Sequence, residues 1–203
     1  MSGADEELPE GWAVAPLTEA FILNPPKPKA GDYADDVPVA FVPMTSVDAT
    51  SGTIRKPSVR AFAQVRKGFT AFRDDDVIFA KITPCMENGK AALAQGLLNG
   101  LGFGSTEFHV FRSTGVALPK YLYYFIRQDS FRKAAEAEMT GSVGQKRVPS
   151  EFLHGVTLPT PPLAEQGRIV AAFERIFENV ATARERLQRV PVPLLPPINR
   201  LAT

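Results

Sequence analysis

Residues 159–190 read PTPPLAEQGRIVAAFERIFENVATARERLQRV, and they divide the chain. Prolines and glycines recur throughout the sequence before them. Between residues 166 and 190 there is no proline, and the one glycine, Gly167, falls in what would be the first turn. Ile169, Phe173, Ile176, Val180, Ala183, Leu187 and Val190 recur at alternating steps of four and three. That spacing lays apolar groups along one stripe of a helix. Glu174, Arg175, Arg184, Glu185 and Arg186 flank the stripe and keep the other faces polar. At 1.5 Å per residue such a helix is about 37 Å long. A stripe this narrow is buried by another helix. The segment is either an arm leaving its domain or an amphipathic helix lying on it, and the prolines ahead of it, read as a hinge, favour the arm. Pro191, Pro193, Pro196 and Pro197 then end the helix. The expected organisation is a globular domain over 1–160, a helical dimerisation or spacer arm over 161–190, and an irregular Pro-rich tail over 191–203.

Working back towards the N-terminus, residues 152–158 read as a last short strand, and the domain is expected to end near Pro159. Residues 120–133 place Tyr121, Leu122, Phe125 and Ile126 at helical spacing and predict one amphipathic helix. Residues 108–112 alternate as a strand does. Asp74-Asp75-Asp76 reads as a polar turn feeding a buried strand at 77–80, and residues 37–42 form another apolar, β-prone run. Residues 59–62 are a weaker strand candidate. Pro25, Pro26 and Pro28 rule out a helix near residue 26. Strands and helices mix without regular βαβ alternation, so the predicted class is α+β, a mixed-sheet domain followed by one long coiled-coil-type helix.

The length of 203 residues suits one domain with an appendage. An apolar fraction of 44% and a charged fraction of 22% are those of a soluble globular chain. The single cysteine, Cys85, excludes an internal disulfide framework and any multi-cysteine zinc site. The acidic N-terminus (Asp5, Glu6, Glu7, Glu10) is the opposite of a secretion signal, and no apolar run approaches membrane-spanning length. A cytoplasmic, non-membrane protein is expected. The net charge of +1 hides an asymmetry: residues 1–54 carry 9 acidic against 2 basic groups, whereas residues 55–151 carry 15 basic against 9 acidic. A basic middle permits a polyanionic partner without demanding one.

Several catalytic readings fail on spacing. Asn24-Pro25-Pro26-Lys27 comes close to the Asn-Pro-Pro-aromatic motif of amino methyltransferases, but the stacking aromatic is replaced by Lys27, and no glycine-rich donor-binding turn precedes it. Gly100, Gly102 and Gly104 are not followed by the long helix of a dinucleotide fingerprint, and no strand is expected to enter them. Residues 141–147 lack the glycine spacing and the Ser or Thr of a phosphate loop. His109 and His154 lie apart with no metal-ligand spacing and read as structural residues. Cys85 has no evident assisting base. The Asp74–Asp76 run reads as a solvated turn rather than a cation site.

Two stretches carry a resemblance. One is Phe79-Ala80-Lys81-Ile82-Thr83-Pro84-Cys85-Met86-Glu87-Asn88-Gly89-Lys90, followed by Gly102-Phe103-Gly104-Ser105-Thr106-Glu107-Phe108. The other is Met139-Thr140-Gly141-Ser142-Val143-Gly144-Gln145-Lys146-Arg147-Val148, followed by Pro161-Pro162-Leu163-Ala164-Glu165-Gln166-Gly167-Arg168-Ile169-Val170. Together they resemble the specificity subunits of Type I restriction–modification systems, from about residue 8 to about residue 190. The resemblance implies a non-catalytic DNA-binding subunit. Such subunits normally hold two target-recognition domains separated by two long helices, which also dock methyltransferase subunits. One recognition domain and one helix here depart from that pattern and imply either a half-subunit form that pairs with a copy of itself, the preferred expectation, or a truncated product. S-adenosylmethionine, ATP and Mg would belong to the methyltransferase and motor/nuclease partner subunits, with no cofactor in this chain. On this reading double-stranded DNA meets Lys81, Thr83, Asn88 and Lys90 on one loop, Ser105, Thr106 and Glu107 on a second, and Ser142, Gln145, Lys146 and Arg147 on a third. These side chains can offer directional hydrogen bonds to base edges or charge to phosphates. The partner or dimer helix would use Ile169, Phe173, Ile176, Val180 and Leu187. The alternative is a protein–protein adaptor whose heptad helix is the functional element, without sequence-specific DNA reading.

Overall fold

The computed structural model describes residues 8–189; the end of the helical stripe at Val190, the tail 191–203 and the acidic residues 5–7 lie outside them. The described elements are β1 (Ala13–Pro16), α1 (Leu17–Ala20), β2 (Phe21–Leu23), β3 (Pro38–Val42), β4 (Ser58–Ala61), α2 (Phe62–Val65), β5 (Thr70–Arg73), β6 (Val77–Ala80), β7 (Ala91–Leu93), β8 (Leu101–Gly104), β9 (Phe108–Ser113), α3 (Pro119–Ile126), α4 (Asp129–Ala137), α5 (Ser150–Gly155), β10 (Thr157–Thr160) and α6 (Leu163–Gln188). The class is α+β, as expected, with the long helix at the C-terminal side.

Two four-stranded sheets form the body, ordered β2-β9-β6-β7 and β4-β3-β8-β5. Every pair is antiparallel except β3 with β8, which makes the second sheet mixed. The run 77–80 shows no polar alternation because both faces of β6 are covered. Val77 and Phe79 pack under α3 and α4, while Ile78 and Ala80 face the second sheet with Val42, Phe72 and Val110. A third apolar layer, Val39, Phe62, Val65 and Phe103, lies on the far side of the second sheet beneath α2. Strand-like burial on both faces is the sequence signature of an interior sheet.

The glycines of β8 leave room for the strands on either side of it, β5 and β3. A Cβ on Gly102 would sit 2.4 Å from the Phe72 ring, and one on Gly104 would sit 2.4 Å from the Val42 carbonyl. No strand leads into Gly100, as expected, but Gly102 and Gly104 themselves lie in β8, where side chains do not fit.

Three further expectations change. The single helix over 120–133 is two, α3 and α4, broken at residues 127–128. There the Arg127 guanidinium donates to the Ala49 and Thr50 carbonyls at 2.9 and 3.0 Å and to the Tyr123 hydroxyl at 2.7 Å. The strand over 152–158 is the helix α5 followed by β10, which pairs antiparallel with β1 and ties the two ends of the domain together. Nor is the Asp74–Asp76 turn simply solvated: Asp76 is 1% exposed. It accepts two hydrogen bonds from Arg112, at 2.8 and 2.7 Å, and one from the Arg73 amide at 2.7 Å. A buried carboxylate paired in this way is held by its partners rather than by water.

The root of α6 is fastened, not hinged. Gln166 is fully buried. Its Oε1 accepts from the Leu118 amide at 2.8 Å, and its Nε2 donates to the carbonyls of Pro161 at 2.8 Å and Val116 at 3.3 Å. Phe173 and Phe177 close on Tyr124 with ring centroids 5.1 and 5.8 Å apart, and Lys120 meets Glu174 at 3.4 Å. Burial, and secondarily Glu174, pushes the Tyr124 hydroxyl up to about 12. The expected detachment at the prolines is thus overturned at the root. Beyond Phe177 every described residue of the helix is exposed, and the stripe residues Ile176, Val180 and Leu187 are 54%, 42% and 70% exposed.

Candidate nucleic-acid interface

Backbone hydrogen bonds bring the three predicted loops together. Segment 146–148 runs antiparallel to 81–83. The Thr83 amide donates to the Lys146 carbonyl at 3.0 Å, and the Val148 amide donates to the Lys81 carbonyl at 2.8 Å. On the other side the Lys81 amide donates to the Glu107 carbonyl at 2.9 Å. Residues 81–83, 105–107 and 140–147 therefore form one continuous patch, although they lie far apart in sequence.

The third loop is a hairpin. Thr140 and Arg147 exchange two backbone hydrogen bonds at 3.0 and 2.8 Å, and the Gln145 amide donates to the Ser142 carbonyl at 2.9 Å. Gly141 has φ of +124°, and a Cβ there would lie 2.9 Å from the Gln145 carbonyl, so the turn requires glycine. Val143 at the tip is 97% exposed. Ser142, Gln145 and Lys146 beside it are exposed too.

Arg147 behaves differently from its expected neighbours. Its Nε and Nη2 donate to the two Glu107 oxygens at 2.9 and 2.8 Å, and its Nη1 donates to the Gln145 carbonyl at 2.9 Å. Its hydrogen bonding thus turns back onto the protein. The Arg147 hydrogen bonds, with help from Lys81, hold the Glu107 carboxyl below the usual carboxylate range, and Glu107 in turn raises Arg147. A bidentate arginine–carboxylate pair is directional as well as charged. It clasps the hairpin to the turn between β8 and β9.

His109 supports the same clasp from below. It is 3% exposed. The Asn24 Oδ1 accepts from the Val110 amide at 3.0 Å, which turns the Asn24 amide nitrogen towards His109 Nδ1 at 3.2 Å. Nδ1 must then accept, so the ring proton sits on Nε2 and is donated to the Val148 carbonyl at 2.9 Å. Burial pushes His109 below its ordinary value. Asn24, weighed in the sequence as part of a methyltransferase motif, is instead a backbone pin.

The remaining candidates are placed as follows. Lys81 is half-buried and lines a notch of about 150 Å³ with Asn24, Lys27, Thr70 and Thr106. Thr83 is half-buried, and its hydroxyl oxygen has no partner among the described residues. The Ser105 hydroxyl accepts from the Glu107 amide at 3.2 Å, and Thr106 is exposed. Asn88 is exposed and Lys90 half-buried; Lys90 donates to the Met44 carbonyl at 2.9 Å. Among the described residues no side-chain bond ties Asn88 or Lys90 to the hairpin. The structure thus gathers Lys81, Thr83, Ser105, Thr106, Glu107, Gln145, Lys146 and Arg147, with Ser142 at the hairpin tip. Sequence reasoning did not place Asn24, Lys27 or Gln166 in the site, whereas His109, read as structural, is so. The paired prolines after Asn24 were the available signal for the first two.

Among the described residues no three His, Cys, Asp or Glu side chains are grouped to hold a metal, and no helix is long and apolar enough to cross a membrane.

Comparison with known proteins gives a consistent result. The Type I restriction modification DNA specificity domain matches residues 9–192. The specificity subunit of the Type I restriction enzyme EcoAI from Escherichia coli is 40% identical over 172 residues, which is 84% of this chain and 29% of that subunit. The crystal structure of the HsdS subunit from Thermoanaerobacter tengcongensis superposes with a TM-score of 0.74 at 27% identity, over 91% of this chain and 46% of that one. A chain from a structure of complex assembly in a Type I R-M system gives 0.72 at 26% identity, over 94% of this chain and 53% of the other. The chain spans less than a third of the curated relative and about half of each solved structure.

Proposed function

This chain belongs to the family of Type I restriction–modification DNA specificity domains, and from that premise we propose that it reads one half of a bipartite duplex target and docks a methyltransferase subunit through α6. The gathering of three polar loops into one patch, with an exposed Ser142–Gln145–Lys146 tip, supports the reading. A two-stranded turn can enter the major groove, where Gln145 can pair bidentately with adenine. Lys146 can neutralise a phosphate. The Arg147–Glu107 clasp keeps the tip in one conformation, so less ordering is needed on binding.

The far end of α6 supplies the second half of the proposal. Its exposed Ile176, Val180 and Leu187 suit a neighbouring helix, either from a second copy of the chain or from another recognition domain. Methyl transfer from S-adenosylmethionine and ATP- and Mg-dependent cleavage would reside in partner subunits, and this chain would supply position. Co-expression with a methyltransferase subunit, followed by mapping of methylated adenines, tests the reading. A bipartite motif is the expected result, symmetric if two copies read it; methylation independent of the chain refutes it. The exposed stripe also favours an adaptor without DNA reading, which predicts duplex binding that is weak and insensitive to salt.

A further inference from the structure

The notch beside Lys81 is not explained by the hairpin. Its polar lining can donate: the Lys81 ammonium is a donor only, and the Thr70 and Thr106 hydroxyls, which can donate as well as accept, make no side-chain hydrogen bond among the described residues. The Asn24 amide, which could have accepted, is already engaged by Val110 and His109. No carboxylate lines the notch. Lys27 is exposed, and its Nζ donates one hydrogen to the Phe69 carbonyl, which steers the ammonium and leaves two donors free. The two prolines between Asn24 and Lys27 stiffen the segment that carries it. At about 150 Å³ the notch is smaller than the roughly 300–1,000 Å³ of small-molecule pockets. It suits one anionic group of a larger ligand.

We propose that this notch seats one phosphodiester of the duplex backbone, with Lys27 and Lys81 supplying charge and the Thr106 hydroxyl a directional donor. The proposal rests on the DNA-reading function above and deepens it. Thr106 precedes Glu107, the partner of Arg147, and the Lys81 backbone is bonded to Glu107 and Val148. A phosphate held here would therefore fix the register of the duplex against the Gln145 tip, without itself reading sequence. The Asn-Pro-Pro-Lys segment would thus serve as a rigid mount for a phosphate grip.

The test measures the affinity of the full chain for a labelled mixed-sequence duplex across a series of salt concentrations. Lys27→Met keeps the apolar stem and removes the charge; it is expected to lower the slope of log affinity against log salt by about one unit. Lys27→Arg is expected to keep the slope. Thr106→Val, which removes only a neutral donor, is expected to weaken binding about threefold on every sequence with the slope unchanged, and it decides the matter should Lys27→Met fail to fold. An unaltered slope in folded Lys27→Met, or unaltered affinity in Thr106→Val, overturns the phosphate seat while leaving DNA reading intact. Binding of millimolar inorganic phosphate that leaves duplex affinity unaltered at constant ionic strength also overturns it, in favour of a free-anion site. An unaltered chain that binds no duplex overturns both proposals.

Discussion

Gln145 and Gln166 both belong to the motifs that carry the family resemblance, and the fold treats them in opposite ways. Gln145 stands exposed on a hairpin tip, its side chain bonded to nothing among the described residues. Gln166 is fully buried, with its amide group satisfied by three backbone partners. One glutamine is free to meet a ligand; the other fastens the long helix to its domain. A motif residue therefore reveals its role only through burial and hydrogen bonding. The same contrast separates the two regions: the candidate patch is hydrogen-bonded at its base and open at its tip, and α6 is fastened at its root and exposed beyond.

The contrast is broken most severely by Gln166→Ala. It strands the Leu118 amide and two carbonyls away from water, and a loss of about 2–4 kcal/mol in folding stability is expected by denaturant unfolding. A loss within 0.5 kcal/mol would show that the root is not fastened as described. Arg147→Met attacks the other region. It releases the hairpin from Glu107, and duplex affinity is expected to fall about tenfold through lost ordering of the tip. A melting temperature within a few degrees of the unaltered chain would accompany it, since the pair is partly exposed.

A smaller effect comes from His109. Its folded value lies below the ordinary 6.5, so the unfolded chain binds the proton more readily. The associated stability is fully present above about pH 6.5 and is lost as pH falls towards the depressed folded value. Thermal melts between pH 8 and 5 are expected to decline from about pH 6.5, and His109→Gln is expected to flatten that decline. Glu107, held below its ordinary 4.5, gives stability that is lost only under more acid conditions, so the two groups are separable. An equal decline in the His109→Gln variant would remove His109 as the cause. Smallest of all, Lys146→Ala is expected to weaken binding uniformly and lower the salt slope by about one unit; an unchanged slope would argue against phosphate contact there.

The sequence revealed elements whose burial is one-dimensional. The unbroken apolar run 77–80 announced an interior strand, and the 3.5-residue stripe announced the long helix. It concealed whatever depended on a neighbour. The glycines at 102 and 104 look like loop residues until the Phe72 ring and the Val42 carbonyl supply the reason for them. The break between α3 and α4 follows from Arg127 reaching the carbonyls of Ala49 and Thr50, residues nearly 80 positions away. The candidate patch was legible as three separate polar loops, on the strength of a family likeness. Its assembly was not, because the bonds that unite Lys81, Glu107 and Lys146 are backbone bonds and leave no mark on residue identity. The pairing of Arg147 with Glu107 was likewise not legible, since nothing local to residue 147 indicates it.

Selection of tight-binding sequences from a random duplex pool tests the central claim most directly, with the unaltered chain and Gln145→Ala run side by side. Enrichment of one short motif by the unaltered chain, relaxed at one base pair and worth about 1–3 kcal/mol of discrimination in the variant, is the predicted result. A pool that emerges unenriched, or a motif that Gln145→Ala leaves untouched, would contradict it.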